Sequence, residues 1–174
     1  MKKTMILFLI IILTYIIIGN TISEKNIIPD EAIRIRVIAN SNSEYDQDVK
    51  LKVKDIVEYD MYNLLKNTRK ISEARKNIQN NLDYLKDDID KTLQKANYSL
   101  PFNINYGLNY FPEKEFKGIK YEEGYYESVV VTLGEGLGDN WWCVLFPPLC
   151  LIEAEESSDI EYTTMIKTIV DKYF

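Results

Sequence analysis

The run Trp141-Trp142-Cys143-Val144-Leu145-Phe146-Pro147-Pro148-Leu149-Cys150 concentrates the least ordinary side chains of this chain. Its two cysteines lie seven positions apart across a Pro-Pro turn. A disulfide needs Cα atoms within about 4.4–6.8 Å, which a chain reversal between Cys143 and Cys150 supplies. Two small buried thiols are the alternative, and a reactive thiol is a third. Thiolate chemistry needs a neighbouring base or cation, and the chain contains no histidine. Adjacent side chains on a strand point to opposite faces, so Trp141 and Trp142 predict either one core ring and one outward ring, or two rings covered on both faces. An outward Trp is a frequent anchor for a protein partner.

The second stretch is Ile33-Arg34-Ile35-Arg36-Val37-Ile38-Ala39-Asn40-Ser41-Asn42-Ser43. Alternation places Arg34 and Arg36 on one face of a strand, leading into four polar residues. Two guanidinium groups so placed suit a partner's carboxylate, held in bidentate fashion, with Asn40, Ser41 and Asn42 at the strand end. Pairing of both arginines with the protein's own surface acids is the competing expectation.

Other chemistries are excluded or weak. Without histidine there is no Ser-His-Asp or Cys-His set and no HExxH zinc site. Two cysteines fall short of a four-thiolate zinc site. None of the eight serines has a lysine three residues on, and no D-[ST]-G triplet occurs. Asp87-Asp88-Asp90 and Glu155-Glu156 read as a solvated helix face and a linker rather than metal ligands. Gly134-Glu135-Gly136-Leu137-Gly138-Asp139-Asn140 is not a dinucleotide fingerprint, because a strand follows it; it reads as a hairpin loop. The expectation is therefore a non-enzyme with no catalytic residue, no cofactor, no metal and no small-molecule substrate. With 21 Lys+Arg against 27 Asp+Glu, a net charge of −6, nucleic acid is not an expected partner either.

These residues need a scaffold, and 174 residues make one domain of it. Met1-Lys2-Lys3-Thr4 and the apolar run from Met5 to Ile18 predict an export signal or, counted on to Ile22, a membrane anchor; residues 1–23 are set apart on that ground. The lysines keep the N-terminus inside, so residues 24–174 form an exported domain. There, Ile33 to Ala39 alternate as a strand. Ser43 with Asp46 three residues on predicts a helix start, with Val49, Val53, Ile56, Val57, Leu64 and Leu65 as its stripe. Ser72 is placed to cap a second helix, striped by Ala74, Ile78, Leu82, Leu85, Ile89 and Leu93. Alternation from Tyr98 to Tyr110, the run Glu127–Leu133 and the run Trp141–Phe146 predict three more strands. Pro147-Pro148 stops the last of these, with a cis bond as a minority expectation. Glu153 to Ser158 reads as an acidic linker, and Met165 to Tyr173 as a closing helix. The order β-α-α-β-β-β-α implies an α+β domain: a mainly antiparallel sheet carrying a helical hairpin and a C-terminal helix.

Arg34 to Gln47, with Ile33 before it and L-K-V-K-D behind it, resembles the opening of the stage II sporulation protein R family. Gly134 to Cys150 resembles that family's second signature, and together they span nearly all of residues 30–174. The family often has an acidic residue where Asn42 stands and a histidine where Asp139 stands. The resemblance implies a signalling protein made in the forespore and exported into the intermembrane space. There it would trigger a membrane-embedded aspartic protease that cleaves pro-sigma-E. The implied partners are that protease and the export machinery; the expected contact patch joins the two strings and draws on Arg34, Arg36, Asn40, Ser41, Asn42, Trp141 and Trp142. An exported cell-wall-acting hydrolase and an anchored structural protein are the alternatives.

Overall fold

The computed structural model describes residues 28–29, 31–116, 119–149 and 159–173, together with Ile12 and Thr14. The remainder of segment 1–23, the linker at Glu153 to Ser158, and Cys150 lie outside the described residues. Strand β1 (Ile33–Ile38) leads into helices α1 (Glu44–Leu65), α2 (Ile71–Asn80) and α3 (Leu82–Lys95). Strands β2 (Phe102–Phe111), β3 (Lys114–Phe116), β4 (Ile119–Tyr121), β5 (Gly124–Leu133) and β6 (Asn140–Phe146) follow, then helix α4 (Asp159–Tyr173). Among the described residues no helix is long and apolar enough to cross a membrane.

The class is α+β, but the sheet is mixed. Its order is β2-β5-β1-β6, and the central β1–β5 pairing is parallel, while β2–β5 and β1–β6 are antiparallel. This corrects the hairpin expected at Gly134–Asn140. Strands β5 and β6 are joined by that loop yet do not pair, because β1 is inserted between them. Strands β3 and β4 form a separate two-stranded ribbon that alternation did not reveal.

Strand β1 shows why the sheet holds together. Ile33, Ile35 and Val37 are fully enclosed and pack with Val49, Val53 and Val57 of α1 and Ile78, Leu85 and Ile89 of α2 and α3. The helical stripes read from the sequence are this layer. The long second helix is broken, however: Asn81 departs from helical geometry (φ −117°, ψ 12°) and divides α2 from α3. Nor does Ser72 cap it; α2 starts at Ile71 behind Lys70, without a side-chain cap. Ser43 does cap α1, its hydroxyl accepting from the Asp46 N–H at 3.1 Å. A smaller cluster, Ala32, Val144, Leu149, Ile166 and Val170, seats α4 beside the opposite face of β6. The Phe146–Pro147 bond is cis.

Candidate interaction surface

The loop after β1 and the glycine loop before β6 are built as one junction around Asp46. This aspartate is only 7% exposed. One carboxylate oxygen accepts from Ser41 Oγ (2.5 Å) and from Asn40 Nδ2 (3.0 Å). These donors, the Ser41 hydroxyl foremost, hold its carboxyl below the usual carboxylate range. Asn40 Oδ1 accepts from the Glu135 N–H (3.0 Å), and Asn42 Oδ1 from the Asp139 N–H (2.6 Å). Lys50 Nζ donates to Gln47 Oε1 (2.5 Å) and to the Asp139 carbonyl (3.4 Å). The loops touch so closely that Gly138 has no room for a side chain: a Cβ there would lie 2.2 Å from the Ser41 carbonyl oxygen. Gly134, at φ +55°, would put its Cβ 2.3 Å from Asn40 Oδ1.

The two sequence stretches are therefore neighbours in space, and β1 and β6 pair along their length. Arg36 stands opposite Trp142, and Val37 opposite Trp141. The tryptophans divide as alternation requires. Trp141 packs on the helical side, with Lys54 Nζ 5.6 Å from its ring centre. Trp142 lies on the other sheet face, where its ring is 5.3 Å from both Phe111 and Tyr121, and Lys114 Nζ sits 5.3 Å away. Both rings remain half-buried.

The arginines are not equivalent: Arg34 is buried and Arg36 half-buried. Arg34 is 3% exposed, its guanidinium carbon 3.3 Å from the centre of the Tyr126 ring. It stands near the start of β1 between β5 and β6, beneath Tyr126 and Phe111, so it is enclosed rather than offered to a partner. Arg36, one turn of the pleat on, is half-buried. Its Nη1 donates to the Tyr110 carbonyl at 3.3 Å, while its Nε has no hydrogen-bond partner. Burial lowers its pKa from the ordinary value, but a guanidinium so far above neutrality stays charged. Asn40 and Ser41 have their side-chain groups engaged in the loop junction. Asn42 is exposed at its rim, facing Asp139.

The sequence reading missed one polar cluster. Arg75 of α2 holds Glu127 of β5 through Nε at 2.9 and 3.1 Å, and the Tyr106 hydroxyl donates to the same carboxylate. Burial, with Glu127 adding to it, pushes the Tyr106 pKa up strongly. Because Arg75 neutralises Glu127, this ties the helical layer to the sheet and leaves no free acid. The acidic run of α3 is likewise engaged locally, with Asp88 on Lys91 (2.7 Å) and Asp90 on Gln94 (2.6 Å). Among the described residues no three Cys, Asp or Glu side chains converge as for a metal ion.

The family model described as stage II sporulation protein R matches residues 29–156, a span that contains the loop junction and both paired strands. The chain belongs to the stage II sporulation protein R family. It is 34% identical over 163 residues to the stage II sporulation protein R of Bacillus subtilis (strain 168), covering 88% of this chain and 73% of that relative. No solved structure matches it. The resemblance drawn from Arg34–Gln47 and Gly134–Cys150 is thus that of a stage II sporulation protein, and its two most distinctive strings are the two sides of one junction. Asn42 and Asp139, one from each string, are hydrogen-bonded to each other.

Proposed function

We propose that this protein is an exported signal from the forespore that activates the membrane-embedded aspartic protease which processes pro-sigma-E. It acts as a ligand without catalysis of its own. Residues 1–23 direct export into the intermembrane space or anchor the domain there. The observation that carries the proposal is the register of β1 against β6, which sets a charged, half-buried Arg36 beside a half-buried Trp142 on the sheet face turned away from α1, α2 and α3. An arginine beside an aromatic ring on a rigid strand pair is the composition of a binding hot spot, suited to an acidic or aromatic segment of the protease. Lys114 adds a second cation at the same ring. In this reading Arg34, Asn40, Ser41 and Trp141 hold the surface in shape, and Asn42 borders it.

Reconstituted processing of pro-sigma-E is the direct test. Arg36→Ala should weaken binding to the protease by about 2 kcal/mol, roughly thirtyfold, with an unchanged melting transition. Trp142→Ala should do the same, with some loss of stability from its ring contacts. Normal processing by folded Arg36→Ala protein, or cleavage of the pro-protein without the protease, would sink the reading. The same reading joins Cys143 to Cys150 after export. Two alkylatable thiols in folded, exported material would refute that bond.

A further inference from the structure

The helical layer contains a pocket of about 330 Å³ at the break between α2 and α3, walled by Tyr59, Asp60 and Asn63 of α1, by Asn81 at the break, and by Tyr84 of α3. Asp60 is 7% exposed, and its Oδ2 is enclosed with no hydrogen-bond partner. A buried carboxylate left without a donor is costly, and such groups ordinarily pair or bind a ligand. The neighbouring cations make their hydrogen bonds elsewhere. Lys91 is held by Asp88 at 2.7 Å, and Lys66 by Asn63 Oδ1 at 3.0 Å. Asn81 donates its Nδ2 to the Asn77 carbonyl (2.8 Å), which leaves its Oδ1 as an acceptor in the wall. Tyr59 and Tyr84, 64% and 55% exposed, stand at the pocket's edge.

We propose that this pocket binds an alkylammonium or guanidinium group, with Asp60 as counter-ion, Asn81 Oδ1 as a second acceptor and the two tyrosine rings flanking the cation. A single carboxylate is too few oxygens for a bare divalent ion, which takes six or more. An organic cation needs one counter-charge, an apolar stem channel and ring faces, and gains from all three. Desolvation, with Asp88 adding to it, raises the Asp60 pKa while Lys91 opposes the shift, so an arriving cation meets a carboxyl that gains most from a counter-charge. The site is separate from the β1–β6 surface and holds or falls without it.

The full chain, labelled for NMR, is titrated with N-acetyl-lysine methylamide, N-acetyl-arginine methylamide, spermidine and the uncharged N-acetyl-norleucine methylamide. Saturable shifts of the Asn63, Asn81 and Tyr84 amides are expected with a cation and not with norleucine. Response to the capped amino acids alone assigns the pocket to a side chain of a partner protein, and response to spermidine alone to a free polyamine. Asp60→Asn should weaken the affinity by about tenfold or more, and Tyr84→Ala, which removes an exposed ring together with its hydroxyl's hydrogen bond to Asp88, by severalfold. No saturable shift with any cation, an equal shift with norleucine, or undiminished affinity in both variants overturns the proposal.

Discussion

Asp46 and Asp60 lie on the same helix, roughly four turns apart, and each is 7% exposed. At the N-terminal end the chain brings donors to the carboxylate: Ser41, Asn40 and the capped start of α1 surround it, and its pKa falls. At the other end the neighbours are ring and amide walls of a pocket, no donor reaches Oδ2, and the pKa rises. Burial alone therefore does not say what an acid is for. One aspartate fastens two loops, and the other is enclosed with no donor on its Oδ2. The difference lies in the partners each segment of chain delivers.

Three substitutions sharpen the contrast. Gly138→Ala should be the most damaging, because its new methyl meets the Ser41 backbone, which cannot swing aside as a side chain would. A loss of about 3 kcal/mol in urea unfolding is expected. A Gly138→Ala protein as stable as the parent would mean the two loops are not locked together. Asp46→Ala should come next, at about 2 kcal/mol, since it strands the Asn40 and Ser41 donors and removes a negative charge from the start of a helix. Its pH signature is specific. A depressed folded pKa gives stability that is complete above the ordinary value of 3.8 and drains away as pH falls through the folded value. The variant should lose that part of the acid limb. Asp60→Asn should have the smallest effect and the opposite sign. A raised folded pKa means a penalty absent below 3.8 that grows as pH rises through the folded value. The amide should therefore add about 1 kcal/mol at neutral pH and little in acid. A stability loss at neutral pH would show that the Asp60 charge is already matched.

Local pattern carried much of this arrangement. The opposed faces of Trp141 and Trp142, the Ser43 cap and the stripes of the helical layer all follow from periodicities of two and 3.6. The parallel partnership of β1 with β5 did not, because it joins segments about ninety residues apart and no neighbour-to-neighbour signal encodes it. The enclosure of Arg34 was invisible for the same reason: Phe111 and Tyr126 arrive from distant strands. The break at Asn81 was hidden inside a continuous apolar stripe, and with it the pocket. Asp46 was legible as part of a helix start, but its role between two loops depends on Glu135, Asp139 and Gly138, far along the chain.

Strand β1 is synthesised first, yet both its partners, β5 and β6, come from the last third of the sequence. Until those residues emerge, Ile-Arg-Ile-Arg-Val-Ile is an apolar, β-prone ribbon with two bare edges, the kind of segment on which nascent chains stick to one another. Arg34 and Arg36 interrupt it with like charges at alternate positions, so two copies laid side by side repel along one face. The same arginines that end against Tyr126, Phe111 and the Tyr110 carbonyl in the finished sheet thus serve earlier as gatekeepers, keeping the unfinished chain soluble while it waits for its own C-terminal strands.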